Sequence, residues 1–404
     1  MTSRTGYTKA KDLVTFRTGK LDSNAADPQG KYPFFTCAQE TYRINTYAFD
    51  TECVLLAGNN AGGIFPLKFY KGKFNAYQRT YVIESRNTQR LNIKYFYFYL
   101  RRLLKAFEQQ ATGAATKFLT LKILQSIDVP TMDIVSQEKI AAVLSAHDDL
   151  IENNKRRISL LEEMVEEIYR EWFVRFRFPG HERAKVVKGV PSGWEVQTLG
   201  SFSDEIRRGV KKKNLPDDER YVGLEHIPRH SIALRSWTTA DTVESDKLLF
   251  KERDILFGKI RPYLHKVAIA HFSGACSSDT IVLRPKKKCY EGYLLFTVFS
   301  DTFVELATVA SKGTKMPRAD WGFLKKLQLI VPHEELLGRY QAQFDIVFTQ
   351  IANLLHSNLL LTTSRDLLLP RLISGKLPVE HLDIQFPPGM IEELDQGSDP
   401  SYHA

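Results

Sequence analysis

The strongest constraint on this chain is a heptad pattern that occurs twice, 200 residues apart. The mostly apolar residues of this pattern, here called seam positions, follow one another at alternating steps of four and three residues. This is the spacing of positions a and d, which form the contact stripe of a coiled-coil helix. In the first copy they are Ile140, Leu144, His147, Ile151, Asn154, Ile158, Leu161, Val165, Ile168 and Trp172. In the second they are Tyr340, Phe344, Val347, Ile351, Leu354, Asn358, Leu361, Arg365, Leu368 and Leu372. The chain is therefore predicted to be a duplicated unit with a long helix in each copy.

Each predicted helix has a seam too narrow to be buried without a partner, and the other helix is the obvious one. About 33 residues would span about 50 Å. Antiparallel pairing is favoured over parallel because it gives a pseudo-twofold arrangement with one globular domain at each end. Asn154 and Asn358 are either buried register-setting residues or residues at solvent-facing turns. Pro370 is predicted to end or kink the second helix near Leu368.

Net charge alternates along the chain and predicts its domains. It is +9 over residues 1–135, −2 over 136–180, +8 over 181–332 and −6 over 333–404. Two basic domains that face a polyanion explain this alternation. The predicted order is a basic domain (1–135), a central helix (136–180), a second basic domain (181–332), a C-terminal helix (333–378) and an acidic tail (379–404).

Each basic domain is predicted to mix strands and helices, which gives an α+β chain with two mixed α/β domains separated by an antiparallel coiled coil. In the first domain, a strand over 51–57, a strand over 80–84 and an Asn92-capped helix follow from apolar runs and their flanking residues. In the second domain the matching strands are 254–260 and 279–284, and the matching helix is 291–299.

Candidate DNA contacts are basic, amide and hydroxyl side chains in loops, together with small residues that allow close backbone approach. Arg and Lys suit guanine edges and phosphates, whereas Asn and Gln suit adenine. In the first domain the candidates are Asn59, Asn60, Gln78, Arg79, Thr112, Gly113, Thr116 and Lys117. In the second they are Arg207, Arg208, Lys211, Lys212, Lys259, Arg261, Tyr263, Lys266, Lys312, Gly313, Thr314 and Lys315.

Motifs of catalysis are missing from the sequence. It has no phosphate-binding loop, no H-E-x-x-H, and no Asn-Pro-Pro-aromatic stretch of an amino-methyltransferase. The four separate cysteines form no metal motif. The lack of a signal-like start and of about 18 consecutive apolar residues predicts a cytoplasmic protein with no membrane segment. Two alternatives stay open: a single-chain DNA-acting enzyme with an unrecognised nuclease site, and a coiled-coil scaffold that binds nucleic acid or acidic proteins.

The chain resembles the specificity subunits of type I restriction–modification systems over nearly its whole length. The stretch from Thr112-Gly113 through Ile127-Asp-Val-Pro130 and Gln137-Glu-Lys-Ile140 is similar to the family's junction between recognition domain and spacer helix. Leu329-Ile-Val-Pro332 and the helix from Tyr340 resemble its second copy, and Pro191-Ser-Gly-Trp194 the opening of the second domain. Leu337-Gly338 stands where the first copy has Gln-Glu, a mild departure.

The resemblance implies a non-catalytic subunit in which each target recognition domain reads one half of a bipartite double-stranded DNA site. It also implies that the spacer helices dock two methyltransferase subunits, and that restriction and translocation subunits join the assembly. S-adenosylmethionine, ATP and Mg²⁺ would then be bound by those partners, with no cofactor in this chain. The acidic faces of the helices, outside the seam, are the expected docking surface for a partner protein.

Overall fold

The structure, a computed structural model, describes residues 6–61, 65–110, 116–187, 189–311, 313 and 316–384; at 60, 61, 105–110 and 116–118 it describes the backbone only. The chain divides into two compact units. Unit 1 comprises Met1–Ile151 and Leu360–Ala404, and unit 2 comprises Glu152–Leu359. The first long helix, Ile134–Tyr169, and the second long helix, Glu334–Ile373, each contribute residues to both units.

Unit 1 is built on a six-stranded sheet. In sheet order its strands are Val14–Thr18, Thr80–Ser85, Phe49–Ala57, Leu67–Ala76, Tyr32–Phe35 and Tyr42–Ile44. The helix Ile93–Gln110 buries Tyr95 and Phe96 in the same core as Val54 and Ile83 of the sheet. Its predicted cap is present, since Asn92 accepts a hydrogen bond from the Tyr95 backbone at 2.9 Å.

Short elements complete unit 1. Gly6–Lys9 pairs antiparallel with Asp128–Thr131, and Asn59–Ala61 pairs antiparallel with Thr116–Phe118. The short helices are Ala10–Leu13 and Leu121–Ser126.

Unit 2 contains two larger sheets. The first has strands Ser203–Glu205, Thr280–Pro285, Ile255–Gly258 and Val267–Ile269 in that order. The second has Gly209–Val210, Lys247–Phe250, Gly274–Cys276, Arg220–Val222 and Thr238–Thr239. Two further ladders join Val186–Val187 to Val190–Pro191 and Glu195–Thr198 to Gln328–Val331. The helices are Leu199–Phe202, Glu291–Phe299, Asp301–Val309 and Trp321–Leu324. The mixed α/β character predicted for both domains is confirmed.

The long helices pair antiparallel within each unit, as predicted. In unit 2, the Tyr340 hydroxyl donates to the Val165 carbonyl at 3.1 Å, and the Asn154 amide donates to Asn358 Oδ1 at 2.9 Å. In unit 1, Arg365 forms an ion pair with Asp148. The hydrogen bond between Asn154, which is buried, and Asn358 supports the register-setting interpretation of this pair.

The seam positions are mostly inaccessible to solvent. Leu161, Asn358 and Leu361 are half-buried. The buried positions are Ile140, Leu144, Ile151, Asn154, Ile158, Val165, Tyr340, Phe344, Val347, Ile351, Leu354 and Leu372. Arg365 is also buried, and its pairing with Asp148 explains how the second copy tolerates a charge at a seam position.

Both long helices end elsewhere than predicted. The first ends at Tyr169 and continues as one π turn over Arg170–Val174, well short of residue 180, and the backbone turns left-handed at Phe176. Pro370 does not end the second helix near Leu368, because the helix continues to Ile373. The alternative prediction, a kink at this position, stays a prediction. Pro370 lies in the last turn, where it removes a single helical hydrogen bond, and burial of the following Leu372 and Ile373 offsets that loss.

Among the described residues, no single helix has the length and apolar composition needed to cross a membrane. The bent pair Lys288–Phe299 and Asp301–Val309 meets those criteria only when the two helices are taken together. Every residue of Glu291–Phe299 is buried in unit 2, as expected for a core helix.

Candidate nucleic-acid interface

Three chain segments meet at one corner of unit 1, which we call the unit 1 corner: residues 58–61, 77–80 and 116–119. The Gly58 N–H donates to the Arg79 carbonyl at 2.8 Å, and the Leu119 N–H donates to the Gly58 carbonyl at 2.9 Å. The turn is closed by a hydrogen bond from the Thr80 N–H to the Tyr77 carbonyl at 2.8 Å. The two predicted contact segments around Asn59 and Lys117 are thus neighbours on one ladder.

Unit 2 contains the same arrangement, here called the unit 2 corner: residues 258–261, 277–280 and 316–319. The Lys259 N–H donates to the Asp279 carbonyl at 2.8 Å, and the Ala319 N–H donates to the Lys259 carbonyl at 2.9 Å. The Thr280 N–H donates to the Ser277 carbonyl at 3.0 Å. The internal repeat therefore extends from the heptads into this corner, at an offset of 200 residues for Arg79 and Asp279 and of 201 for Gly58 and Lys259.

Gly58 permits the close approach that defines the unit 1 corner. A Cβ atom at this position would lie 2.9 Å from the Arg79 carbonyl oxygen, closer than real Cβ contacts come. Any side chain here would push the 77–80 turn away from the end of strand Phe49–Ala57. The glycine at this strand end therefore has a steric cause.

The unit 1 corner opens into a cleft of about 330 Å³. Gln78 and Arg79 are exposed beside it, and Asn59 is half-buried. Its lining residues are Thr18, Gly58, Asn59, Gln78, Arg79, Tyr81, Leu119, Thr120 and Leu121. Amide and guanidinium groups presented together can hydrogen-bond to adenine and guanine edges or to phosphates.

The unit 2 corner presents a different set of side chains. Lys259 is half-buried, whereas Arg261 and Tyr263 are exposed. Arg261 and His265 both have φ of 50°, and they flank a 3₁₀ turn, Pro262–Leu264. The Arg261 N–H donates to the Pro317 carbonyl at 2.8 Å, which ties this turn to the loop that contains Gly313 (φ 99°).

Sequence reasoning missed one pair at the unit 2 corner. Asp279 stands 200 residues after Arg79 and forms an ion pair of 3.2 Å with Arg318. The same offset that revealed the heptads would have identified Asp279 as the counterpart of Arg79. Arg318 bridges to Ile260 through the backbone, which places its guanidinium on the corner.

The remaining predicted residues of unit 2 have partners of their own or lie on another segment. Lys212 donates to Asp217 at 3.1 Å and to the Ala240 carbonyl at 2.8 Å. Arg207 is paired with Glu205 at 2.7 Å, which raises its pKa. Lys266 donates to the Leu224 carbonyl, and burial lowers its pKa. Arg208 and Lys211 are exposed beside the edge ladder Gly209–Val210.

Several predicted contact residues cannot be placed as side chains. For Asn60, Thr116 and Lys117 only the backbone is described. Thr112, Gly113, Lys312, Thr314 and Lys315 lie outside the described residues. The predictions for these residues stay predictions.

Comparison with known proteins identifies the relatives of this chain. Residues 6–163 and 191–356 match the family described as "Type I restriction modification DNA specificity domain". The chain is 31% identical to the type I restriction enzyme EcoDI specificity subunit of Escherichia coli, over 85% of this chain and 83% of that protein. It is 27% identical to the MjaIX specificity subunit of Methanocaldococcus jannaschii, over 71% and 69%.

A solved structure supports the fold. The crystal structure of a type I restriction–modification S subunit from M. genitalium matches 92% of this chain and 96% of its own, with a TM-score of 0.60 and 15% identity.

Proposed function

The chain belongs to the specificity subunits of type I restriction–modification systems, and we propose that each unit reads one half of a bipartite DNA site. As a member of this family it carries two target recognition domains that set DNA sequence specificity. The observation that supports one reader per unit is the repeated corner, in which the same three backbone segments meet in unit 1 and in unit 2.

The two half-sites are proposed to differ in sequence. The unit 1 corner presents Gln78 and Arg79, whereas the unit 2 corner has Asp279 paired with Arg318. Because hydrogen-bond donors and acceptors on base edges distinguish the base pairs in the major groove, different side chains on one frame select different bases. An asymmetric bipartite site follows.

The long helices are proposed to dock two methyltransferase subunits through apolar side chains outside the seam. Leu160, Met164 and Ile346 of unit 2 are each about half exposed or more, as are Leu360 and Leu367 of unit 1. The sequence predicted an acidic docking surface on these helices, but ion pairs within the chain neutralise part of its negative charge. Asp148 pairs with Arg101 and Arg365, and Asp345 with Arg253 and Lys288.

Chemistry is proposed to belong to the partners. In this proposal the methyltransferase subunits bind S-adenosylmethionine, and the restriction and translocation subunits use ATP and Mg²⁺. This chain then supplies double-stranded DNA recognition in the cytoplasm and no catalytic group. The purified chain with Mg²⁺, ATP and S-adenosylmethionine is expected neither to cleave nor to methylate DNA, and turnover by the chain alone would favour a single-chain enzyme.

The DNA-reading role is tested with the complex of this chain and its methyltransferase subunits. The affinity of the complex for the DNA sequence that it methylates is measured by fluorescence anisotropy at several salt concentrations. Arg79→Ala is expected to lose about 1–3 kcal/mol of binding free energy if the guanidinium contacts a base. The matched control is Arg102→Ala, which removes an exposed arginine of the same unit from the helix Ile93–Gln110. Equal affinities of both variants and the wild type would exclude the unit 1 corner as the reading surface.

A further inference from the structure

Three potential metal ligands converge in unit 2 on residues that the DNA-reading role does not use. They are His230, His265 and Asp301, and their ligand atoms lie within 4.8 Å of one another. His265 is buried, whereas His230 and Asp301 are exposed. The ring centroids of the two histidines are 4.2 Å apart.

Both nitrogens of the buried imidazole are engaged by one short stretch of chain. His265 Nε2 lies 2.6 Å from the Phe299 carbonyl oxygen, and Nδ1 lies 3.4 Å from Asp301 Oδ1. A carbonyl only accepts hydrogen bonds, so Nε2 carries the proton and, in the neutral ring, Nδ1 presents a lone pair. That lone pair faces a carboxylate oxygen, and a cation between the two would relieve the repulsion.

The arrangement matches that of metal-bound histidines in general. Such a histidine donates its second ring N–H to a backbone carbonyl or carboxylate, which fixes the tautomer and the ring orientation. The neutral imidazole with its proton on Nε2 is the form that binds a metal through Nδ1.

The backbone holds the two histidines in place. The His230 N–H donates to the His265 carbonyl at 3.1 Å, and Arg229 bridges antiparallel to Lys266. Asp301 begins the helix Asp301–Val309, whose cap Ser300 accepts from the Phe303 N–H at 3.3 Å. Zn²⁺ binds nitrogen at about 2.0–2.1 Å, which requires ligands about 3.3 Å apart. The exposed His230 ring can close the remaining gap by side-chain rotation.

We propose that His230, His265 Nδ1 and Asp301 bind a divalent transition-metal ion, with Zn²⁺ as the probe and water as the fourth ligand. Two imidazoles and a carboxylate suit Zn²⁺ better than they suit Mg²⁺ or Ca²⁺, which prefer oxygen ligands. The ion would join the turn 261–265 to the loop at 230 and to the helix Asp301–Val309. Its role is structural, and the binding itself does not depend on DNA reading by unit 2.

The test is isothermal titration of the full-length chain with ZnCl₂ after EDTA treatment and removal of the chelator. One equivalent of Zn²⁺ is expected to bind. His230→Asn, which tolerates the φ of 50° at this position, and Asp301→Asn should each weaken the affinity at least about tenfold. His356→Ala removes an exposed histidine of the same unit and should leave the affinity unchanged.

Circular dichroism of each metal-free variant checks that it is folded, and Co²⁺ absorption adds a readout that depends on the ligands. Tetrahedral Co²⁺ bands are expected in the wild type and in His356→Ala, and are expected to be lost in His230→Asn. Hydrogen exchange of amides 261–266 should slow at least about tenfold when Zn²⁺ binds the wild type. Absence of Zn²⁺ binding, binding unchanged in both ligand variants, or unchanged exchange would overturn the proposal.

Discussion

The two corners share a backbone and differ in the side chains that this backbone presents. In unit 1 the turn 77–80 offers Gln78 and Arg79 to an open cleft. In unit 2 the equivalent turn offers Asp279, which is already paired with Arg318 at 3.2 Å. Under the proposed function, the repeated backbone arrangement sets where DNA contacts are made, whereas the side chains on it decide which bases are selected.

The same contrast extends into the strands behind the corners, and it gives the largest expected effect. By the register of the matching ladders, in which Val54 pairs with Ile83 and Ile255 pairs with Leu283, unit 1 has a buried cysteine, Cys53, where unit 2 has the buried Asp254. Asp254 accepts two hydrogen bonds of 2.7 Å from Arg284 and one of 2.7 Å from the Lys251 N–H. Asp254→Ala leaves these donors unpaired and is expected to destabilise unit 2 by about 3 kcal/mol.

Native-state hydrogen exchange, read separately over the amides of each unit, measures this loss. The matched control is Asp217→Ala, which removes an exposed carboxylate of unit 2 and should cost less than about 0.5 kcal/mol. A loss of less than about 1 kcal/mol in the free energy of unfolding of unit 2 for Asp254→Ala would contradict the role assigned to this buried carboxylate, and so would an equal loss in unit 1.

As the pH falls, the free energy of unfolding of unit 2 is expected to decrease before that of unit 1. Burial, together with the nearby Arg220, lowers the pKa of His271 to about 4, from an ordinary value of 6.5. The unfolded chain therefore binds more protons than the folded chain between pH 6.5 and 4. Stability from neutral His271 is fully present above pH 6.5 and is lost as the pH falls toward 4. The loss is about 3 kcal/mol by the pKa difference.

Hydrogen exchange of unit 2 amides at pH 7 and pH 4.5, corrected for intrinsic rates, tests this expectation. His271→Gln should flatten the pH dependence, because glutamine does not titrate. His356→Ala, an exposed histidine of the same unit, should retain it. A wild-type unit 2 equally stable at both pH values would show that His271 does not contribute in this way.

A smaller effect distinguishes the helix seams of the two units. Unit 1 places Arg365 against Asp148 in its seam, whereas unit 2 places Asn154 against Asn358 at 2.9 Å. In a double-mutant cycle, Asn154→Leu and Asn358→Leu are expected to show a coupling of about 1 kcal/mol. Thermal or denaturant unfolding of the four proteins gives the coupling, and strictly additive effects would mean that the asparagines do not act as a pair.

The sequence was sufficient to predict the long helices and their pairing because the heptad spacing records which face each helix must bury. It also named residues around Asn59 and around Lys117 as separate candidate contacts, through their residue types, but it did not predict that these segments are neighbours. It could not predict the end of the first helix, since the left-handed backbone at Phe176 has no signal such as glycine or asparagine. The pairing of Asp279 with Arg318 and the hydrogen bond from Lys266 to the Leu224 carbonyl depend on tertiary contacts, which residue type alone does not reveal.

The central claim is that each unit reads its own half of the DNA site, and one measurement tests it most directly. Residues 1–130 are exchanged for those of another family member, and the chain is expressed with its methyltransferase subunits in a host that lacks this modification. Base-resolution methylation mapping then gives the recognised sequence. The account predicts that one half of the sequence changes and the other half is retained. A change in both halves, or in neither, would contradict it.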